Sequence, residues 1–158
     1  MRRTFELIVF DWDGTLMDSE ARIVTCMQRA ASQVGVPVPD NAAARDVIGL
    51  GLIEAVQRLF PAADAPAVTA LVDAYRAHWL GDEVVPAPMF AGAGELIEGL
   101  FDAGVLLAVA TGKSRRGLDK ALEESGLGRF FHATRCADEA FSKPHPQMLQ
   151  DILTDLDT

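Results

Sequence analysis

Leu7-Ile8-Val9-Phe10-Asp11-Trp12-Asp13-Gly14-Thr15-Leu16 decides the fold. Four consecutive apolar residues bounded by charge read as a short strand buried on both faces, the pattern of a parallel sheet. The run stops at an aspartate, and Gly14 turns the chain. Asp13 stands two residues beyond Asp11, so the two carboxylates share a face if the extended conformation continues. Both then lie past the carboxyl end of the first strand, where open parallel α/β sheets bind their ligands.

Beyond this stretch the period changes. Ile23, Val24, Met27, Ala30, Ala31 and Val34 recur at helical spacing from Ser19 onward, and Gly35 closes the segment. Further helices are expected over Ala42 to Val47, Leu52 to Leu59 and Pro66 to Leu80, with no strand candidate before Asp82. Val84-Val85-Pro86-Ala87-Pro88 is a linker, because two prolines forbid helix continuation. Alternation then resumes. Glu95 to Ala103 is helical, Val105 to Ala110 is a second buried strand, and Ser114 caps a helix ending near Gly126. A weaker strand lies around His132 to Cys136, followed by a loop through Lys143-Pro144-His145-Pro146. The last helix carries Met148, Leu149, Ile152, Leu153 and Leu156 on its apolar side. Strand and helix in alternation indicate a parallel α/β sheet. The expected organisation is an α/β core over 1–17 and 84–158, interrupted after its first strand by an all-helical insertion over 18–83.

The chain has 158 residues, enough for one core and a small second lobe. Apolar residues make up 49% and charged residues 23%, which suits a folded protein. The net charge of −9 argues against nucleic acid as a partner, since phosphate backbones attract clustered Lys and Arg. It leaves a phosphorylated small molecule open, because a few local cations and a metal outweigh global charge. Cys26 and Cys136 form no metal or disulfide pattern, so a reducing cytoplasm is the expected setting. Met1-Arg2-Arg3 resembles the basic start of a signal peptide, but the apolar run after it is too short for a signal core. No stretch approaches the length of a membrane-spanning helix.

Polar residues follow all three strands: Asp11 and Asp13, then Thr111, Gly112 and Lys113, then Lys143 on a longer loop. That set suits phosphoryl transfer. Asp11 can attack phosphorus, dividing one hard displacement into two easier ones through an aspartyl-phosphate. Asp13 can protonate the leaving oxygen and later activate water. Thr111 and the Gly112 backbone can hold phosphoryl oxygens at the start of a helix, and Lys143 can neutralise charge. Paired carboxylates facing phosphate also call for a hard cation, with Mg²⁺ the natural choice.

Asp11-Trp12-Asp13-Gly14-Thr15-Leu16 resembles the first motif (DxDGT) of the haloacid dehalogenase superfamily. Val109-Ala110-Thr111-Gly112 is similar to its second motif, and Ser142-Lys143-Pro144-His145-Pro146 to its third, often written KPxP. The order and spacing match, and a helical cap between the first two motifs is the arrangement of the phosphoglycolate phosphatase and β-phosphoglucomutase branch. The resemblance implies a three-layer, Rossmann-like core and a Mg²⁺-dependent phosphomonoester hydrolase. It implies Asp11 as nucleophile and metal ligand, and Asp13 as acid/base, binding metal through its carbonyl. Thr111 would bind phosphate, and Lys143 would steady nucleophile and phosphate under a closing cap. The family's fourth motif, a strand ending in Gly-Asp that completes the metal site, has no match here. Asp151, Asp155 and Asp157 read as a solvated helix face and tail. A C-terminally shortened chain with impaired Mg²⁺ binding and turnover is the expectation, with the first strand left at a sheet edge.

Other features read more simply. Lys113, Arg115 and Arg116 read as a solvated helix start, and His145 as a structural residue between prolines. His78 and His132 show no metal spacing. Arg45 and the Gly49-Leu50-Gly51 turn read as a helix–helix connection that can also meet substrate. Gly112-Lys113-Ser114 lacks the first glycine of a P-loop, since Leu107 stands there, and Gly92-Ala93-Gly94 lacks the third glycine of a dinucleotide loop. A phosphosugar mutase of the same branch is the nearest alternative function. A signalling receiver domain uses similar residues, but carries its aspartate after a middle strand and has no helical insertion. A non-catalytic phosphate-binding module is the third alternative. The oligomeric state has no signature in the sequence.

Overall fold

The computed structural model describes residues 5–158, so Met1-Arg2-Arg3 lies outside the described residues. Strand β1 (Leu7–Phe10) is followed by four helices, α1 (Glu20–Val34), α2 (Asn41–Asp46), α3 (Leu52–Leu59) and α4 (Ala65–Leu80). Then come α5 (Ala93–Asp102), β2 (Leu106–Thr111), α6 (Arg115–Ser125), a 3₁₀ turn (Gly128–Phe130), β3 (Ala133–Cys136) and α7 (Gln147–Leu156). The three strands form one parallel sheet in the order β1-β2-β3. Its register pairs Phe10 with Val109 and Thr111 with Cys136, so Asp11, Gly112 and Ala137 leave the same end of the sheet.

Local chemistry sets the helix ends. Gly35 at φ 82° terminates α1, its N–H returning to the Ala31 carbonyl. Asp40 and Asp64 accept hydrogen bonds from Ala43 N–H and Ala67 N–H at the starts of α2 and α4. Ser114 does the same for α6 through Gly117 N–H, as expected. Caps of this kind contribute about 1 kcal/mol each.

Three apolar clusters divide the buried residues. Trp12, Leu16, Ile97, Leu107, Val109, Leu118 and Phe130 fill one side of the sheet, beneath α5 and α6. Ala108, Ala110, Met148 and Ile152 fill the other, where α7 packs. Helices α1, α3 and α4 build a separate cluster around Met27, Ala30, Val56, Leu71 and Val72. The result is a parallel α/β core with a helical cap inserted after its first strand.

Three expectations need correction. β1 is half-buried along its whole length rather than buried on both faces. It lies at the sheet edge, with β2 its only ladder partner among the described residues. On α7 the buried positions are Met148 and Ile152, one turn apart, while Leu149 and Leu153 are 47% and 43% exposed. Asp151 and Asp155 are not simply solvated, because both pair with Arg135 on β3 and tie α7 to the sheet. Among the described residues, no helix is long and apolar enough to cross a membrane.

Candidate active site

Trp12 aims the two carboxylates. Its indole is fully buried and meets Phe131 edge-on, with ring centroids 6.3 Å apart. Successive side chains of extended backbone point to opposite sides. Anchoring Trp12 in the core therefore turns Asp11 and Asp13 outward, beyond the end of the sheet. The Trp12 Nε1–H is buried without an acceptor among the described residues, at a cost of about 1–3 kcal/mol. Burial of so large a ring outweighs that cost.

Asp11 meets Lys143. Its Oδ1 accepts from Trp12 N–H at 2.7 Å and faces Lys143 Nζ at 3.1 Å. No donor among the described residues reaches Oδ2. A Cβ on Gly49 would stand 3.8 Å from that oxygen, so the Gly49-Leu50-Gly51 turn lies over Asp11.

Asp13 is held from both sides. Oδ1 accepts from the Ser19 hydroxyl at 2.7 Å, and Oδ2 faces Lys113 Nζ at 3.3 Å. Ser19 is fully buried and makes no side-chain bond to its own helix, although it occupies the N-cap position of α1. Lys113 corrects the expectation of a solvated helix start. Its side chain is 11% exposed, and its ammonium lies 4.7 Å from the Trp79 ring centroid.

Thr111 is fully buried at the last position of β2, and its Oγ1 accepts from Lys113 N–H at 3.1 Å. Gly112 is obligatory for space. A Cβ there would fall 2.3 Å from the Leu50 carbonyl oxygen and 2.7 Å from that of Gly49. Gly51 N–H donates to Ser142 Oγ at 3.0 Å, next to Lys143. The helical insertion thus touches the core where Asp11, Gly112 and Lys143 come together. Asp11, Gly112 and Lys143 are linked directly or through this turn, Thr111 adjoins Gly112, and Asp13 joins the group through Lys113.

Three contributors escaped the reading of the sequence: Ser19, Lys113 and Trp79. Ser19 carried one usable signal. A capping box needs Glu or Gln three residues on, and Arg22 stands there, so the motif that reinforces a serine cap is incomplete. Arg45 pairs with Glu20 on the exposed edge of the helices.

A second polar cluster lies nearby. Among the described residues, Cys136, Asp138 and Glu139 are the one trio spaced as metal ligands. Its carboxylates are already engaged, since Glu139 accepts from Arg115 and from Cys136 N–H, and Asp138 accepts from Arg115 N–H. Burial alone would raise the Glu139 carboxyl, but these partners outweigh it and hold it below the usual range. Burial pushes the Cys136 thiol up to about 12 against the opposing Arg115 charge, so it stays protonated and inert. This cluster fastens α6 to the loop after β3.

The comparisons agree with the geometry. The chain is 37% identical over 147 residues to "Probable phosphatase IndB" of Dickeya dadantii, covering 90% of this chain and 64% of that protein. It is 34% identical over 126 residues to the tyrosine-protein kinase PtkA of Mycobacterium tuberculosis, covering 80% of this chain and 42% of that one. A phosphoglycolate phosphatase of Agrobacterium fabrum is 33% identical over 147 residues, with 87% and 61% covered. The chain therefore spans less than two thirds of each of these relatives. Among solved structures, a predicted phosphoglycolate phosphatase from Haemophilus somnus superposes with a TM-score of 0.87 at 20% identity, covering 99% of this chain and 74% of that one. Residues 8–158 match the haloacid dehalogenase-like hydrolase family, and the chain belongs to it.

Proposed function

We propose that the protein is a phosphatase acting on a small anionic phosphomonoester of the phosphoglycolate kind, through an aspartyl-phosphate on Asp11. The observation that carries this reading is the meeting of Asp11 with Lys143 beneath a turn that also covers Gly112. In the first step an Asp11 carboxylate oxygen bonds to phosphorus and the ester P–O bond breaks. The leaving oxygen takes a proton from Asp13, which Ser19 and Lys113 hold in place. In the second step Asp13 recovers a proton from water, the water oxygen bonds to phosphorus, and the Asp11–phosphorus bond breaks to release inorganic phosphate. Thr111 and Gly112 N–H orient the phosphoryl oxygens, and Lys143 offsets their charge. Helices within 18–83 act as a cap over a core formed by 1–17 and 84–158, and exclude water during the reaction.

The donor set suits Mg²⁺. Among the described residues, Asp11 Oδ2 has no donor and the Asp13 main-chain carbonyl accepts no backbone hydrogen bond. Two hard oxygens near a phosphate site match the few protein ligands that Mg²⁺ takes beside water and substrate. Asp11 and Asp13 would hold the ion, which would supply positive charge to the transferring phosphoryl group. The two free, buried cysteines accord with a reducing, cytoplasmic setting.

Phosphate release from a panel of small phosphomonoesters with Mg²⁺ tests the reading. Release that disappears in Asp11→Asn supports it, and release that persists in that variant rejects Asp11 as nucleophile. Isomerised sugar phosphate without free phosphate would point to a mutase instead. Incorporation of label into a protein tyrosine would align the chain with its kinase-named relative.

A further inference from the structure

Arg22 and Trp79 take no part in the chemistry above, yet they converge on it. Trp79, near the end of α4, receives two cations: the Arg22 guanidinium 4.3 Å from its ring centroid and the Lys113 ammonium at 4.7 Å. Arg22 Nη2 donates to the Trp79 carbonyl at 2.6 Å, which fixes the guanidinium on the cap. Its Nε–H is buried and has no acceptor among the described residues. Lys113 Nζ also lies 3.3 Å from Asp13 Oδ2, so the group begins at the reacting carboxylates.

The charges do not balance. Among the described residues, Asp13 is the one acidic side chain paired with either cation. Two cations with one carboxylate leave a local positive excess in a chain of net charge −9. Cations gathered on one ring at partial burial repel each other, and an unpartnered guanidinium N–H is unfavourable there. An incoming anion relieves both.

We infer that Arg22 and Lys113, gathered on Trp79, form a subsite for the carboxylate at the non-transferred end of the substrate. The assignment rests on the phosphatase reading and deepens it. It selects a carboxylated phosphomonoester over one of equal size without the carboxylate.

Calorimetric titration with 2-phosphoglycolate and with ethyl phosphate, both in Mg²⁺, measures that preference. The two probes share the phosphoryl group and carbon count and differ in the carboxylate. The wild-type chain is expected to prefer phosphoglycolate by at least about tenfold, as a charge-assisted hydrogen bond provides. Arg22→Gln should reduce the preference by about tenfold, and Arg22→Lys should restore part of it. Lys113→Gln is the parallel variant should Arg22→Gln fail to fold. No preference in the wild type, or an undiminished preference in a folded variant, overturns the subsite. Lys143→Ala separates the two claims. Ethyl phosphate binding that is indifferent to Lys143 overturns the phosphatase reading, whatever the Arg22 variants show.

Discussion

Asp11 and Asp13 stand two residues apart and each ends against a lysine, but the two lysines differ in kind. Lys143 comes from the loop after β3, within the α/β core, and both partners are about 30% exposed. Lys113 is more enclosed, and its carboxylate is also held by Ser19 at the start of the helical insertion. Asp11 is therefore furnished by the core and left one open oxygen, while Asp13 is fixed at the junction of core and cap. This suits a nucleophile that must reach phosphorus and an acid/base that must keep its direction through two steps.

Substitutions can break or sharpen this contrast. Asp11→Asn should have the largest effect, a loss of about 10³-fold or more in phosphate release, because no covalent step remains. Lys143→Ala should follow with about 10²-fold, through loss of charge stabilisation beside the phosphoryl group. Gly112→Ala places a methyl group against the Gly49 and Leu50 carbonyls. It should cost about 1–3 kcal/mol of stability in urea melts as the turn is displaced. Ser19→Ala should be mildest, lowering kcat about tenfold with KM nearly constant, since one hydrogen bond that aims Asp13 is removed. Equal losses in Ser19→Ala and Lys143→Ala would erase the distinction between the two carboxylates.

Much of this was legible in the residues. Apolar runs ending in Asp11 and Thr111 marked β1 and β2, and helical spacing with Gly35 and Gly126 bounded α1 and α6. Asp11, Thr111 and Lys143 were readable because strand ends and short motifs are local. Lys113 was misread because its burial depends on Trp79, more than thirty residues earlier in the chain, and no window of sequence contains both. Ser19 read only as the start of a helical period because its acceptor, Asp13, lies across a turn. The burial of β1 was overstated because an apolar run reports what a strand can bury, whereas its neighbours decide what it does bury. Leu149 and Leu153 were placed inward by periodicity, yet β2 offers only the narrow strip of Ala108 and Ala110 for α7 to cover.

Trp12 gives the site one further property. The residue between the two carboxylates proposed to react is a fully buried part of the main apolar cluster. On the proposed function, the alignment of Asp11 and Asp13 and the packing of the core cannot be tuned separately in this molecule. A substitution at Phe131 that loosens the indole would disturb folding and turnover together, although it touches neither carboxylate. In engineering terms, tolerance to change should fall off with contact to Trp12 rather than with distance from the bound phosphate.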